Sequence, residues 1–256
     1  MTQYHNRQIR HLGAVLLEIG ALLMTAGANT ARIRITVERI ARAFGCSAEV
    51  FITHRALTLN DSQHEDIFSS SKRTPPHGVD FKVVSGISRM SWHVAEENWS
   101  IAAIRKELVR LAALPRYPRI VVLLMVGLAG ASFCRLFGGD PVEMGIAFVA
   151  TFFGLAVRQE THQRGFNPYL CVYVAALVAA LIAGGVTRFN GRVTLEHAFA
   201  TSVLFLVPGV PLINSFSDMV DGNFLTGLSR FAHGFVISLC IALGLLTALH
   251  VYGLQP

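Results

Sequence analysis

The feature that most constrains this chain is a series of apolar segments that begins just after Arg119 and continues nearly to the last residue. They run over 120–136, 141–157, 169–186, 198–214 and 234–254. A bilayer's hydrocarbon core is ~30 Å thick and takes roughly 17–25 helical residues to cross. Five such segments in close succession leave no polar faces with which to cover one another in water. The expectation is therefore a membrane all-α bundle of about five transmembrane helices. The second segment is the shortest, its apolar part running from Met144 to Val157. Pro141, a residue suited to the first turn of a helix, opens it from the interface and lengthens it to 141–157.

Composition agrees and then divides. The chain is 52% hydrophobic and 15% charged, with a mean hydropathy of +0.49, too apolar for an ordinary soluble domain of this size. Residues 1–119 nevertheless hold 16 of the 22 Lys and Arg and 10 of the 16 Asp and Glu, so the entire surplus of +6 lies there. A basic piece adjoining membrane segments points to the anionic face of a bilayer as its partner. Nucleic acid is the rival partner, but no basic cluster interleaved with aromatics accompanies the charge, so none is expected. The four cysteines are scattered and three fall in apolar runs, which implies neither a disulfide framework nor a zinc site.

The first 114 residues read as a small soluble α+β domain. Basic Asn6–Arg10 followed by apolar Leu12–Ala28 imitates a secretory signal, but Glu18 interrupts the run. His11, Glu18 and Thr25 recur every seven residues, as on one stripe of an amphipathic helix packed on a core. Gly27–Thr30 reads as a break with an N-cap, and a second helix runs to Phe44, closed by Gly45. Glu49–Thr53 and Ala56–Leu59 look like strands, and Val79, Phe81 and Val83 alternate in the same way with Asp80 and Lys82. Between them, Asn60–Gly78, with its Pro75-Pro76 pair, holds a turn, room for a short third strand, and a loop. A third helix is expected from Ser91 to Leu114. Pro115 and Pro118, with Tyr117 and two arginines, mark the boundary with the transmembrane domain at 115–256.

Counting Lys and Arg near the helix ends fixes an expected orientation. With the N-terminus cytoplasmic, the inside carries eight, among them Arg116, Arg119, Arg158, Arg164 and Arg230, against Arg135, Arg188 and Arg192 outside. With an odd helix count the C-terminus then lies on the far side. Ala175, Ala179 and Ala183 beside Ala176, Ala180 and Gly184 give the third apolar segment a smooth face, suited to tight packing or to a homo-oligomer interface.

Chemistry is concentrated in Val207-Pro-Gly-Val-Pro-Leu-Ile-Asn214. Pro208, Gly209 and Pro211 interrupt an apolar helix and free backbone groups that must be satisfied at membrane depth, as in a broken helix lining a transporter's binding site. The resumed half-helix would turn its N-terminus toward an anionic substrate, with Asn214, Ser215, Ser217 and Asp218 close behind. The alternative is a plain proline kink. Arg135 and Arg158 read as interfacial anchors or as counter-charges for a carboxylate, Asp218 as an interfacial anchor or a proton-coupling group, and His250 as a hydrogen-bonded bundle residue. There is no H-E-x-x-H, Walker loop or G-x-S-x-G, and the ten histidines are scattered, so no enzyme, metal or cofactor is expected. Thr53-His54-Arg55 and Ser69–Arg73 could form a nucleophile group or an anion site, although solvated loops account for them as well.

Arg116-Tyr-Pro-Arg119, Leu124-Met-Val-Gly127, Phe133-Cys-Arg135, Val157-Arg-Gln159 and Leu206-Val-Pro-Gly-Val-Pro-Leu-Ile-Asn214 resemble the threonine/serine exporter family. The resemblance is strongest from Pro115 to Arg230. It implies an inner-membrane exporter whose full-length relatives carry a soluble domain and about ten membrane helices. The missing five are then expected on a small separate membrane subunit. For the two-subunit form the implied cargo is a dicarboxylate such as succinate, and for the single-chain form threonine and serine. A membrane-anchored hydrolase and a non-transporting scaffold stand as alternatives of another class.

Overall fold

The computed structural model describes residues 2–53, 56–63, 66–74, 78–115, 117–190 and 196–253. His54, Arg55, Pro75, Pro76, Arg116 and Arg192, singled out above, lie outside them. The protein is mostly helical, with a small three-stranded sheet near the N-terminus. It forms two compact units, one of residues 1–115 with 210–232, the other of 116–209 with 233–256.

The first unit is built around α1 (Thr2–Thr25). Val15, Leu16, Ile19 and Leu23 of this helix have no exposed surface, because α2 (Thr30–Ala43), the sheet, α3 (Phe81–Glu97) and α4 (Ile101–Ala112) all pack on it. The sheet is an antiparallel meander of β1 (Ser47–Ile52), β2 (Ala56–Gln63) and β3 (Asp66–Arg73) in the order β1-β2-β3. Val50 pairs with Leu59 and Leu57 with Lys72. Leu57 and Leu59, two apart on one face, are buried against the helices.

Two expectations for this region are corrected. Phe81 and Val83 belong to a helix, not a strand. The Asp80 carboxylate accepts from the N–H groups of Lys82 and Val83, and Val83, Ile87, Met90 and Val94 then fill one helical face. Three alternating residues are a weaker signal than that cap followed by a sustained helical period. The single helix Ser91–Leu114 is two helices, α3 and α4. Asn98 takes the left-handed conformation (φ 53°) that ends α3, and the Ser100 hydroxyl caps α4 by accepting from Ala103 N at 3.2 Å.

The second unit holds α5 (Arg119–Leu136), α6 (Pro141–Gln163), α7 (Pro168–Asn190), the short α8 (Glu196–Thr201) and a 3₁₀ turn at Leu204–Leu206. A 28-residue helix, α10 (Phe224–Val251), contributes its part from His233 onward. Among the described residues, four helices are long and apolar enough to cross a membrane, and five if the broken pair Glu196–Leu206 and Gly209–Val220 is counted as one span. The second of them is longer than its apolar stretch, because Asp140 and Glu143 close a capping box at its start. Beyond Val157 the helix continues through polar residues, and Arg119 bridges to Glu160 at 3.3 Å. Small residues set the packing. Ala175, Ala176, Ala179, Ala180 and Ala183 are all fully buried. A Cβ on Gly127 would stand 2.9 Å from the Phe148 ring, and one on Gly244 2.8 Å from Ala176 Cβ.

Replacing Ser100 with alanine should leave the α4 N–H groups short of an acceptor and cost about 1 kcal/mol. Thermal unfolding followed by the fluorescence of Trp92, in α3, and Trp99, at this junction, checks it.

Candidate functional site

Val207 and Pro208 separate the 3₁₀ turn from α9 (Gly209–Val220). Neither Pro208 nor Pro211 has an N–H to donate, and the groups freed at the break are met locally. Val207 N binds Leu204 O at 3.2 Å and Gly209 N binds Val207 O at 2.9 Å. Gly209 has open space where a Cβ would lie and does not take a positive φ, so neither packing nor backbone geometry there requires glycine.

After the break, α9 and the first turns of α10 form a tight hairpin. Gly222 supplies the positive φ (82°) of its turn. The Ser215 hydroxyl donates to Gly227 O at 2.7 Å, and a Cβ on Gly227 would stand 2.6 Å from Met219 Cγ. The hairpin is amphipathic in an inverted sense. Ile213, Phe216, Val220, Phe224, Leu225 and Leu228 lie between 57% and 87% exposed, as residues destined for an apolar environment. Its polar face is turned into the protein.

That polar face meets the junction of α1 and α2. Asp218 is fully buried. Its Oδ1 accepts from Thr30 N at 3.0 Å, at the start of α2, where backbone N–H groups lack intrahelical partners and the dipole favours a negative charge. Its Oδ2 stands 3.1 Å from Arg230 Nη1, with side-chain exposures of 0% and 8%. Arg230 Nη2 donates to Ala28 O at 3.3 Å, and Asn214 Nδ2 donates to Gly27 O at 2.8 Å. Asn29 caps α2 by accepting from Arg32 N at 2.9 Å, and its amide reaches Ser217 Oγ at 3.4 Å. Thr226 donates to Ile52 O at 3.0 Å. Gly27, at φ +87°, must be glycine, since a Cβ there would lie 2.8 Å from Gly78 O.

Polar atoms are nevertheless left over. Thr30 Oγ1, Asp218 Oδ2, Arg230 Nη1 and Asn223 Nδ2 are buried with no hydrogen-bond partner among the described residues. The ion contact between Asp218 and Arg230 has the distance of a salt bridge without the angles of a hydrogen bond.

Asn214 and Asp218 are thus brought together, with Pro211 on the same helix, while Pro208 and Gly209 form the break before them. Arg135 and Arg158 belong to the second unit. Arg135 is exposed at the end of α5, donating to Gly139 O at 3.3 Å, whereas Arg158 is half-buried near the far end of α6. The Arg119–Glu160 bridge makes α5 and α6 an antiparallel hairpin. Arg135 lies by its turn, and Arg158 lies about 25 Å away along α6 at 1.5 Å per residue. One small dicarboxylate cannot touch both at once. Sequence reasoning missed Thr30 and the pairing of Arg230, which had been counted only as a positive charge on the inner side. An arginine within two turns of the start of a long apolar helix was the available signal.

A fold of four to five apolar spans with an ion pair buried beside a broken helix defines a multi-pass membrane protein. The particular family is then given by comparison: a family model described as "Putative threonine/serine exporter" matches residues 14–252. The chain belongs to this family. It is 31% identical over 97% of both chains to a protein named "Probable succinate transporter subunit YjjP" from Escherichia coli (strain K12). It is 30% identical to the protein of the same name from Klebsiella aerogenes, over 96% of both chains. A "Threonine/serine exporter" from Corynebacterium glutamicum is 22% identical over 83% of this chain and only 45% of its own length. No solved structure matches the chain.

Removing one member of the buried pair, by Asp218→Ala or Arg230→Met, should cost about 3–5 kcal/mol, because the other charge is left uncompensated. The double variant should be less destabilised than the sum of the two. A double-mutant cycle on thermal unfolding of the purified protein measures the coupling.

Proposed function

We propose that the chain is one subunit of an inner-membrane secondary exporter of small carboxylate metabolites, most specifically a dicarboxylate such as succinate. A second, small five-helix membrane subunit completes it. The observation that carries this reading is the buried Arg230 guanidinium, held with Asp218 just after a helix broken by Pro208, Gly209 and Pro211. A buried cation on the helical hairpin that follows an interrupted helix is chemistry suited to an anionic cargo. Arg135 and Arg158, at opposite ends of α5 and α6, would serve as entry and exit charges at different points on the path. Likeness along the full length to proteins named as succinate transporter subunits supports the cargo. Coverage of under half of the Corynebacterium exporter supports the missing half-pore. In this arrangement the N-terminus is cytoplasmic, the C-terminus periplasmic, and the protein acts as transport machinery without a catalytic step.

Threonine or serine is the second reading for the cargo, favoured by the name of the longer Corynebacterium relative. Efflux from cells loaded with succinate or with threonine, with and without the partner subunit, decides between them. Succinate efflux that needs both chains is expected, and threonine efflux alone would replace this reading with the second. Replacing Pro208, Gly209 and Pro211 together with alanine should abolish efflux while membrane insertion persists. Unchanged efflux would remove the path from that helix. Neutralising Arg135 or Arg158 should weaken efflux of a dicarboxylate more than that of a zwitterion, and equal losses would make both arginines mere anchors.

A further inference from the structure

The pairing of Asp218 is unusual in what it leaves unused. A carboxylate offers about four lone-pair directions, yet this one takes a single hydrogen bond, from Thr30 N, and an ion contact from Arg230. Around it the Thr30 hydroxyl and Arg230 Nη1 are buried without a hydrogen-bond partner among the described residues, with Thr30 4% and Arg230 6% exposed. Asp218 Oδ2 is itself without a hydrogen bond, although Arg230 Nη1 stands 3.1 Å from it. A guanidinium, a hydroxyl and a helix N–H are the donor types that recognise a carboxylate, and Asp218 forms a hydrogen bond with only the last of them.

We propose that Arg230, Thr30 and the first turn of α2 form an anion site that Asp218 occupies at rest, and that a carboxylate group of the cargo takes its place during transport. This rests on the proposed export of carboxylates and names the residues that bind them. The exchange preserves charge at the site. One carboxylate leaves Arg230 and Thr30 N as another arrives, so the guanidinium is never buried alone, which is the costly state. Asp218 lies on the hairpin that follows the proline break, and its withdrawal requires α9 to move relative to both the α1–α2 junction and Arg230 on α10, all within the same unit. The site takes small monocarboxylates and dicarboxylates, and a neutral solute of the same size has no group to replace the one displaced.

The test is rescue by an external carboxylate. The purified full chain carrying Asp218→Ala is heated in formate, acetate, succinate or chloride at equal ionic strength, and unfolding is followed by tryptophan fluorescence. The carboxylates are expected to raise its melting temperature saturably by about 2–4 °C over chloride. Wild type should show no such rise, and adding Arg230→Met should abolish it. No carboxylate-specific rise, or an equal rise in wild type and in the double variant, overturns the proposal. If Asp218→Ala does not accumulate, Asp218→Ser, which also empties the place of the carboxylate, carries the same comparison. Rescue together with failed succinate efflux by wild type would leave the anion site standing and remove the export reading. Succinate efflux without rescue would do the reverse.

Discussion

Helix α2 begins inside its unit with N–H groups that need an acceptor, and Asp218 supplies one from 188 positions further along the chain. The way α9 and the start of α10 join the first unit follows from that contact. Because a buried carboxylate needs a cation, Arg230 lies beside it. Because Arg230 stands two turns into α10, the hairpin of α9 and α10 must fold back with Ser215 against Gly227. Because the hairpin's polar side is thereby consumed, its apolar side faces outward. The contacts to Gly27, Ala28 and Ile52 add direction, since each is made to a backbone carbonyl whose position the surrounding elements fix.

The second unit is governed by a different constraint. Apolar residues gain little by leaving lipid for a neighbouring helix, so association depends on close approach. The alanines of α7 and the glycines opposed to Phe148 and Ala176 provide it. Polar side chains in these helices are mostly absorbed locally or between neighbours. Thr151 donates to Ser202 O at 3.4 Å and Tyr173 pairs with Thr247 at 3.2 Å. His197 meets Glu143 at 3.3 Å, where Glu143 also completes the cap of α6.

The sequence reveals those features whose cause is local. Hydropathy marks the spans, Gly45 and Asn29 mark the ends of helices, and Pro208, Gly209 and Pro211 mark the break. It misleads where a local pattern is short, as at Phe81 and Val83, or where a single αL residue divides what hydropathy joins, as at Asn98. The pairing of Asp218 with Thr30 and Arg230 has no local cause. Nothing near Thr30 announces that its N–H will be met by a carboxylate from the far part of the chain. The polar residues Asn214, Ser215 and Ser217 ahead of Asp218 mark a polar helix face but do not say that it closes on the α1–α2 junction.

The division of the first unit between 1–115 and 210–232 bears on how a protein like this can be cut, fused or rearranged. The proline-rich boundary near Pro115 looks like a place where the N-terminal domain could be detached or exchanged. A chain ended there would leave Thr30 N without the carboxylate it binds and Gly27 and Ala28 without their amide and guanidinium donors. Gene fission at that point would therefore produce a domain lacking one of its own walls. Successful chimaeras between relatives would have to exchange both pieces together, although more than ninety residues of another unit lie between them in the sequence.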